Sequence, residues 1–466
     1  MRSFLRIEEA QPVQISIRES LDYGANAIKN RVWYRGDSRE LEQLYENIGE
    51  GNARFMFWAS RCSPGMEMRK IHTGLPAMIV DALAGIAATN LNGLRFGDEA
   101  HQEMWERIAA ENGFKDLLLR AVTETLTVGD GAFKLSVDRE VSEYPLLEFW
   151  PGDRIDYTLQ RGRITEIIFR TPLRAVNKKP CELREIYGRG YIRYRLIQDG
   201  EDIGLDAAEG LEDLQDVEFG GKSGPYMLAA PLRFFPSDRW EGRGRSVFDR
   251  RCECFDAFDE AWSQWMDALR AGRARVYIPE NLIPRDPRTG ALKKPNAFDD
   301  RFIRTEADMG QGAENRIQAE CPAIPHEAYA ATYGAALDQC LQGLISPATL
   351  GVDLKKTDNA EAQREKEKVT LYTRARIVEP LGECLAALAA AAVRASFELR
   401  NEEPSPVAAE AVFGDYASPA FDSQTDTVGL AVERGVMSVE AAVEELYGDT
   451  RTEVWKAEEA RRIRGT

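Results

Sequence analysis

Apolar residues recur at helical spacing from Ser38 to Ile48, from Pro76 to Leu91 and again from Asp98 to Val128, so the first part of the chain reads as mainly helical. At Gly129 the period changes. GDGAFKLSVD, YPLLEFWPGDRIDYTLQ, ITEIIFRTPL, CELREIYGRGYIRYRLIQ and MLAAPLRFFP are short strand-like runs broken by Gly, Pro and Asp, which predicts a mixed α+β region. Ser246 is a candidate N-cap for a helix running to about Ala271, with Gly272 as its stop signal. In this helix Phe248, Cys252, Phe255, Phe258, Trp262, Trp265 and Leu269 fall three or four apart and form one apolar stripe. Asp249, Glu253, Asp256, Glu260 and Asp267 repeat on another face. An ordinary surface helix with a solvated face has the same pattern, so the acids alone assign no role.

Two or three short strand-like runs follow, RARVYIP, RFIRTEA and NRIQAE, separated by the turn-rich stretch NLIPRDPRTGALKKPNAFDD. A second helix is predicted from about His326 to Leu344, ended ahead of Pro347 because proline disfavours helical geometry in the residue before it. A helix goes out, a compact module sits at its tip, and a helix returns: the pattern predicts a projecting stalk. From Asn359 or Ala360 a helical pattern extends to about Leu399, and Pro380 within it removes a backbone donor and is expected to kink it. After the linker NEEPSPVAAE, residues 425–434, 438–447 and 452–464 read as three short helices, the second capped by Ser438.

Composition narrows the function. A chain of 466 residues with 44% hydrophobic content can bury a large core and is expected to divide into about two to four domains. With 77 acidic against 60 basic residues the net charge is -17, the wrong sign for a protein that grips nucleic acid along its whole surface. Contact with DNA would have to be local or weak. The seven cysteines are scattered apart from Cys252 and Cys254, and with only three histidines no metal-site spacing is present; reduced thiols in a cytosolic compartment are expected. MRSFLRIEEAQ meets acidic residues too soon for a signal peptide. The longest apolar run, Leu381 to Val393, is shorter than the ~20 residues a bilayer requires, so no membrane partner is expected.

The chemical motifs are weak. GGKS at Gly220 to Ser223 has the end of a phosphate-binding loop, but Asp216 stands where its first glycine belongs, and Gly224 and Pro225 oppose the helix that should follow. GRGRS at 242–246 and GEGN at 49–52 lack the rest of a dinucleotide fold and read as turns. His72, His101 and His326 are far apart in sequence, and Asp299 and Asp300 fall in a turn. The reading is a protein that is not an enzyme and uses no cofactor or metal.

The order of segments resembles the portal, or head-tail connector, proteins of long-tailed bacteriophages. The resemblance covers most of the chain and is carried by RVWYRGDSRELEQLY, LPAMIVDALAGI, GDGAFKLSVD, DRWEGRGRSVFDRRCECFDAFDEAWSQWMDALRAGRARVYIP, ISPATLGVDLKKTDNAEAQREKE and GVMSVEAAVEELYG. It implies an α+β portal fold: a wing of helices and strands (residues 1–245), a stem helix out (246–272), a small α/β clip (273–325), a stem helix back (326–345), a tunnel loop (346–359), a long kinked wing helix (360–400) and a helical crown (401–466). It further implies a homo-oligomeric ring, expected to be a dodecamer, at a unique capsid vertex of the virion, assembled in the bacterial host cytoplasm. Its channel would pass double-stranded DNA transiently, and its partners would be the terminase large subunit, the head-tail adaptor, and the major capsid and scaffold proteins. On that mapping Phe255, Phe258, Trp262 and Trp265 form the subunit interface, and Asp249, Glu253, Asp256, Glu260 and Asp267 face the channel. Asp353, Lys355, Lys356 and Thr357 lie in the tunnel loop, where the two lysines would touch phosphates, and Arg285, Arg288, Lys293 and Lys294 form the partner surface of the clip. Two other classes stay open: a minor capsid or scaffold protein that associates through the same helices without a channel, and a DNA-packaging ATPase built on GGKS.

Overall fold

The computed structural model of the chain describes residues 21–48, 58, 69–176, 179–212, 214–220, 224–273, 275–290, 302–306, 316–321, 323–352, 360–402, 406–414, 421–447 and 453–464. Two helices come first, α1 (Tyr23–Arg35) and α2 (Ser38–Ile48), then α3 (Leu75–Thr89), β1 (Leu91–Phe96), α4 (Glu99–Glu111) and α5 (Phe114–Val128). The apolar pattern over 98–128 suggests one helical block, but the chain forms two. Gly113 adopts a left-handed backbone between them, and the Asn112 side chain bonds the carbonyls of Ile108 and Pro145, which ends α4.

The strands follow as β2 (Asp130–Ser136), β3 (Leu146–Pro151), β4 (Ile155–Gln160), β5 (Arg163–Val176), β6 (Lys179–Gly188), β7 (Tyr191–Gln198), β8 (Glu201–Asp202), β9 (Val217–Glu218) and β10 (Ala229–Arg233). They make two antiparallel sheets, one in the order β10-β2-β3 and one in the order β4-β5-β6-β7-β8, with β9 paired to β7. Strand alternation puts Ile167, Phe169, Tyr187, Ile192 and Leu196 on the buried face of the larger sheet. Phe133 packs edge-on against Phe149, Trp150 against Phe169, and Phe169 against Tyr187.

Next come α6 (Cys252–Ala271), β11 (Arg275–Pro279), β12 (Phe302–Thr305), β13 (Gln318–Glu320), α7 (His326–Leu341) and α8 (Ala360–Leu399), which runs unbroken through Pro380. Its apolar half, Ile377 to Ala395, is buried against α3, α4 and β10. β14 (Ala409–Phe413), α9 (Phe421–Glu433), α10 (Val439–Tyr447) and α11 (Glu453–Arg464) complete the chain. The architecture is α+β, with the helices and the two large antiparallel sheets in separate blocks.

The chain divides into two compact units, residues 1–89 with 94–411, and residues 90–93 with 412–466. In the smaller, α10 packs against both α9 and α11; Ser438 accepts from the Ala441 amide as an N-cap, Lys456 pairs with Glu444 at 2.8 Å, and Tyr447 meets Trp455 edge-on.

The centre of the larger unit is a buried charge. Asp130 is fully buried at the start of β2, and Arg243 grips it with two hydrogen bonds of 2.9 Å. The Tyr23 hydroxyl and the Gly244 amide also donate to it, at 2.8 and 2.7 Å, so both carboxylate oxygens are satisfied and the desolvation cost is offset. The Arg243 guanidinium lies 3.8 Å from the Tyr23 ring centre. Burial and the neighbouring Asp130 push the Tyr23 hydroxyl far above the ordinary tyrosine value. A methyl group on Gly244 would collide with the backbone of Gly129, which explains glycine at this crossing of α1, β2 and the segment ahead of α6.

Candidate functional site

The region that sequence analysis singles out is the pair α6 and α7 with the strands between them. The two helices run antiparallel: Arg251 donates to the carbonyls of Cys340 and Gln342, Phe258 meets Tyr333 at 4.9 Å between ring centres, and Trp265 stacks on Tyr329 at 6.2 Å. Rising numbers on α6 thus meet falling numbers on α7. The same pairing continues into the tip, where β11 and β13 are antiparallel with Arg275 opposite Glu320, and β12 adds to β11 in parallel. Among the described residues no substantial contact joins these three strands to the helices or sheets of the rest of the unit. With 20 residues α6 is about 30 Å long.

The helix starts at Cys252, five residues later than an N-cap at Ser246 would set it. Ser246 is occupied elsewhere. Its hydroxyl bonds the carbonyls of Leu126 and Thr127 at the end of α5 and accepts the Phe248 amide, so it pins a turn to the body instead of capping a helix.

The apolar stripe behaves differently along its length. Phe248, Phe255 and Phe258 are 0, 1 and 2% exposed, packed among one another, Trp33 of α1 and Tyr333 of α7. The assignment of Phe255 and Phe258 to a subunit interface is therefore corrected, because their own chain already covers them. Trp262 and Trp265 contact each other, Tyr329 and Tyr333, but stay partly exposed, and Leu269 is 45% exposed.

Two of the five acids assigned to a channel also turn inward. The Asp249 carboxylate accepts from the side-chain amides of Asn26 and Asn30 at 2.8 and 2.9 Å and from the Ser246 amide. Asp256 is buried and accepts the Trp58 amide at 2.6 Å. Each closes a backbone or amide donor that would otherwise be buried unpaired, which is why the carboxylates face the body. Glu253 is exposed, and Glu260 and Asp267 are partly exposed. These three are seven residues apart and line one edge of the helix.

Sequence analysis did not find Asp259 and Ser263. Asp259, 2% exposed, accepts from His72 Nδ1, the Thr73 amide and the Thr73 hydroxyl at 2.8 to 2.9 Å, and Ser263 accepts the Ile71 amide at 2.9 Å. With Asp256 they form a polar ladder that holds the chain ahead of α3 along α6. The only signal was their spacing of three and four, which coincides with one helix face.

At the tip, Arg285 and Arg288 are exposed, and Arg285 pairs with Glu280 at 3.1 Å, a contact that solvent weakens. Lys293 and Lys294, and the loop residues Asp353, Lys355, Lys356 and Thr357, lie outside the described residues. Of GGKS, Gly220 is described with a positive φ; residues 224–228 beyond the motif are not helical and lead into β10, so the helix a phosphate loop requires does not follow. Among the described residues no group of three or more His, Cys, Asp and Glu is placed to hold a metal ion, no helix is long and apolar enough to cross a membrane, and no disulfide is formed. Burial pushes the Cys252 thiol up to about 11 and the Cys340 thiol up to about 12.

No family model matches the sequence, and no curated protein does. Among solved structures, a chain of the virion of a native gene transfer agent (GTA) particle is similar at 15% identity, over 78% of this chain and 85% of that one, with a TM-score of 0.42. A chain in the neck of the native GTA particle computed with C12 symmetry is similar at 13% identity, over 82% and 89%, with a TM-score of 0.41. A third, in the neck of the empty GTA particle computed with C6 symmetry, is similar at 13% identity over 80% and 90%, with a TM-score of 0.44.

Proposed function

We propose that the chain is a portal subunit: a structural protein that forms a homo-oligomeric ring at one capsid vertex and leaves a central passage for double-stranded DNA. The observation that carries this reading is the helical hairpin, with α6 out, a small three-stranded module at the tip and α7 back, in the position along the chain where the portal resemblance expects stem and clip. The inward-facing residues of α6 require a revised division of labour. Trp262, Trp265 and Leu269, on the tip half, supply the contact with the neighbouring subunit, since large apolar side chains left partly exposed gain most from a second copy.

The line of Glu253, Glu260 and Asp267 faces the passage. Carboxylates there repel phosphate and do not release the counterions on which tight DNA binding depends, so the duplex moves without being trapped. Lys355 and Lys356 of the loop after α7 supply cation rings that touch phosphates transiently and centre the duplex. The tip, with Arg285, Arg288, Lys293 and Lys294, docks the terminase large subunit during packaging and the head-tail adaptor afterwards. Electron microscopy of the purified chain tests this: closed rings with a central hole are expected, and a uniformly monomeric protein, or one that forms only filaments or irregular clusters, would refute it.

A further inference from the structure

A cavity of about 670 Å³ opens between the end of β2, the strands β7 and β9, and the end of α8. This size lies within the range of ligand pockets, and its composition is unusual for a chain interior. Its walls are apolar and aromatic, with Leu135, Ile192, Leu228, Tyr187 and Tyr226, and Val137 and Val217 are 46 and 44% exposed at its rim. Four glutamates also line it. Glu185 is neutralised by Lys134 at 3.2 Å, and Glu398 accepts from the Tyr226 hydroxyl and lies 3.5 Å from Arg394. Glu218 and Glu402 are exposed, and among the described residues no cation pairs with either. The site therefore offers apolar surface together with two exposed carboxylates that, among the described residues, no cation pairs.

We propose that this cavity binds a short basic and apolar peptide, and that residues Arg2 to Ile7 of the same chain supply it. The segment RSFLRI, which lies outside the described residues, has the complementary chemistry: Phe4, Leu5 and Ile7 for the apolar walls, and Arg2 and Arg6 for Glu218 and Glu402. The chain can reach. Tyr23, at the start of α1, bonds Asp130 at one end of β2, and the cavity lies at the other end of that seven-residue strand, about 20 Å away. The residues between Ile7 and Tyr23 span up to about 50 Å when extended. Seating the segment covers Val137 and Val217 and ties the chain ahead of α1 to the far side of the larger sheet.

The test uses the full chain with the photo-reactive residue benzoylphenylalanine in place of Phe4. Irradiation is expected to cross-link it, within one chain, to peptides containing residues 217–220 or 395–402. Glu218→Lys combined with Glu402→Lys should lower the yield about tenfold, the effect of losing about 1.4 kcal/mol of pairing. Adding Arg2→Glu and Arg6→Glu to that variant should restore the yield. Both glutamates are exposed, and an unchanged melting temperature shows that the variant folds. Cross-links to other regions, cross-links between two copies, or a yield indifferent to the charge reversal would overturn the proposal.

Discussion

The two halves of α6 carry the same sequence pattern and do different work. From Cys252 to Ser263 the helix is clamped: Phe255 and Phe258 are buried in the chain's own core, and Asp256, Asp259 and Ser263 receive amide and side-chain donors from the segment ahead of α3. Beyond Ser263, among the described residues, the ring contacts of α6 with other elements are with α7, and Trp262, Trp265 and Leu269 keep exposed surface. An amphipathic repeat states that a face is buried; it does not state whether the cover is the same chain or another. The neighbouring elements decide that, and among the described residues the body's hydrogen bonds to α6 end at Ser263.

The largest expected effect breaks the clamped half. Phe255→Ala should cost about 4 kcal/mol, because the ring is 1% exposed among Trp33 and Phe248 and its loss leaves a cavity. Denaturant unfolding of the protomer measures this, and a loss under 1 kcal/mol would place Phe255 at an exposed interface instead. Asp259→Ala should cost about 3 kcal/mol by leaving three donors without an acceptor, with proteolysis accelerated in residues 69–73. A stability equal to the unsubstituted protein would remove Asp259 from the clamp.

The body under the clamp also predicts a pH dependence. Burial pushes the Asp153 carboxyl up, but hydrogen bonds of 2.7 and 2.8 Å from Arg31 and its charge outweigh burial and hold the group below the usual carboxylate value. A group with a lowered folded pKa stabilises the protein above its unfolded value of about 3.9, and that stabilisation is lost as pH falls through the lower folded pKa. Arg31→Ala should therefore cost about 2 kcal/mol at neutral pH and move the acid-unfolding midpoint upward. Circular dichroism across pH 2–6 reads the shift, and an unmoved midpoint contradicts the assignment. The smallest effect sharpens the outward edge: Glu260→Lys should change protomer stability by no more than about 0.5 kcal/mol, since its side-chain partner among the described residues is the exposed Gln264 at 2.9 Å. A larger loss would mean that Glu260 is part of the clamp.

Much of this architecture was legible in the sequence. The change from helical to strand-like period at Gly129, the five strand runs before Ser246, and the helix, strands and helix from 252 to 341 follow from local periodicity, which tertiary packing did not override here. The break at Gly113 and the delayed start of α6 were missed because non-local partners set them, Pro145 for Asn112 and Leu126 and Thr127 for Ser246. The site was less legible for the same reason. Asp249 and Asp256 look like surface acids because charge usually marks solvent, yet their acceptors serve donors more than 190 residues away in sequence. Only tertiary contacts separate such a carboxylate from Glu253 or Glu260.

Hydroxyl-radical footprinting of α6, in the proposed rings and in protomers released from them, tests the division of the helix most directly. The labelling of Trp262, Trp265 and Leu269 should fall several-fold on assembly while that of Phe255 and Phe258 stays low in both states. Equal labelling of the two tryptophans in rings and protomers would contradict the account, as would strong labelling of Phe255 in the free protomer.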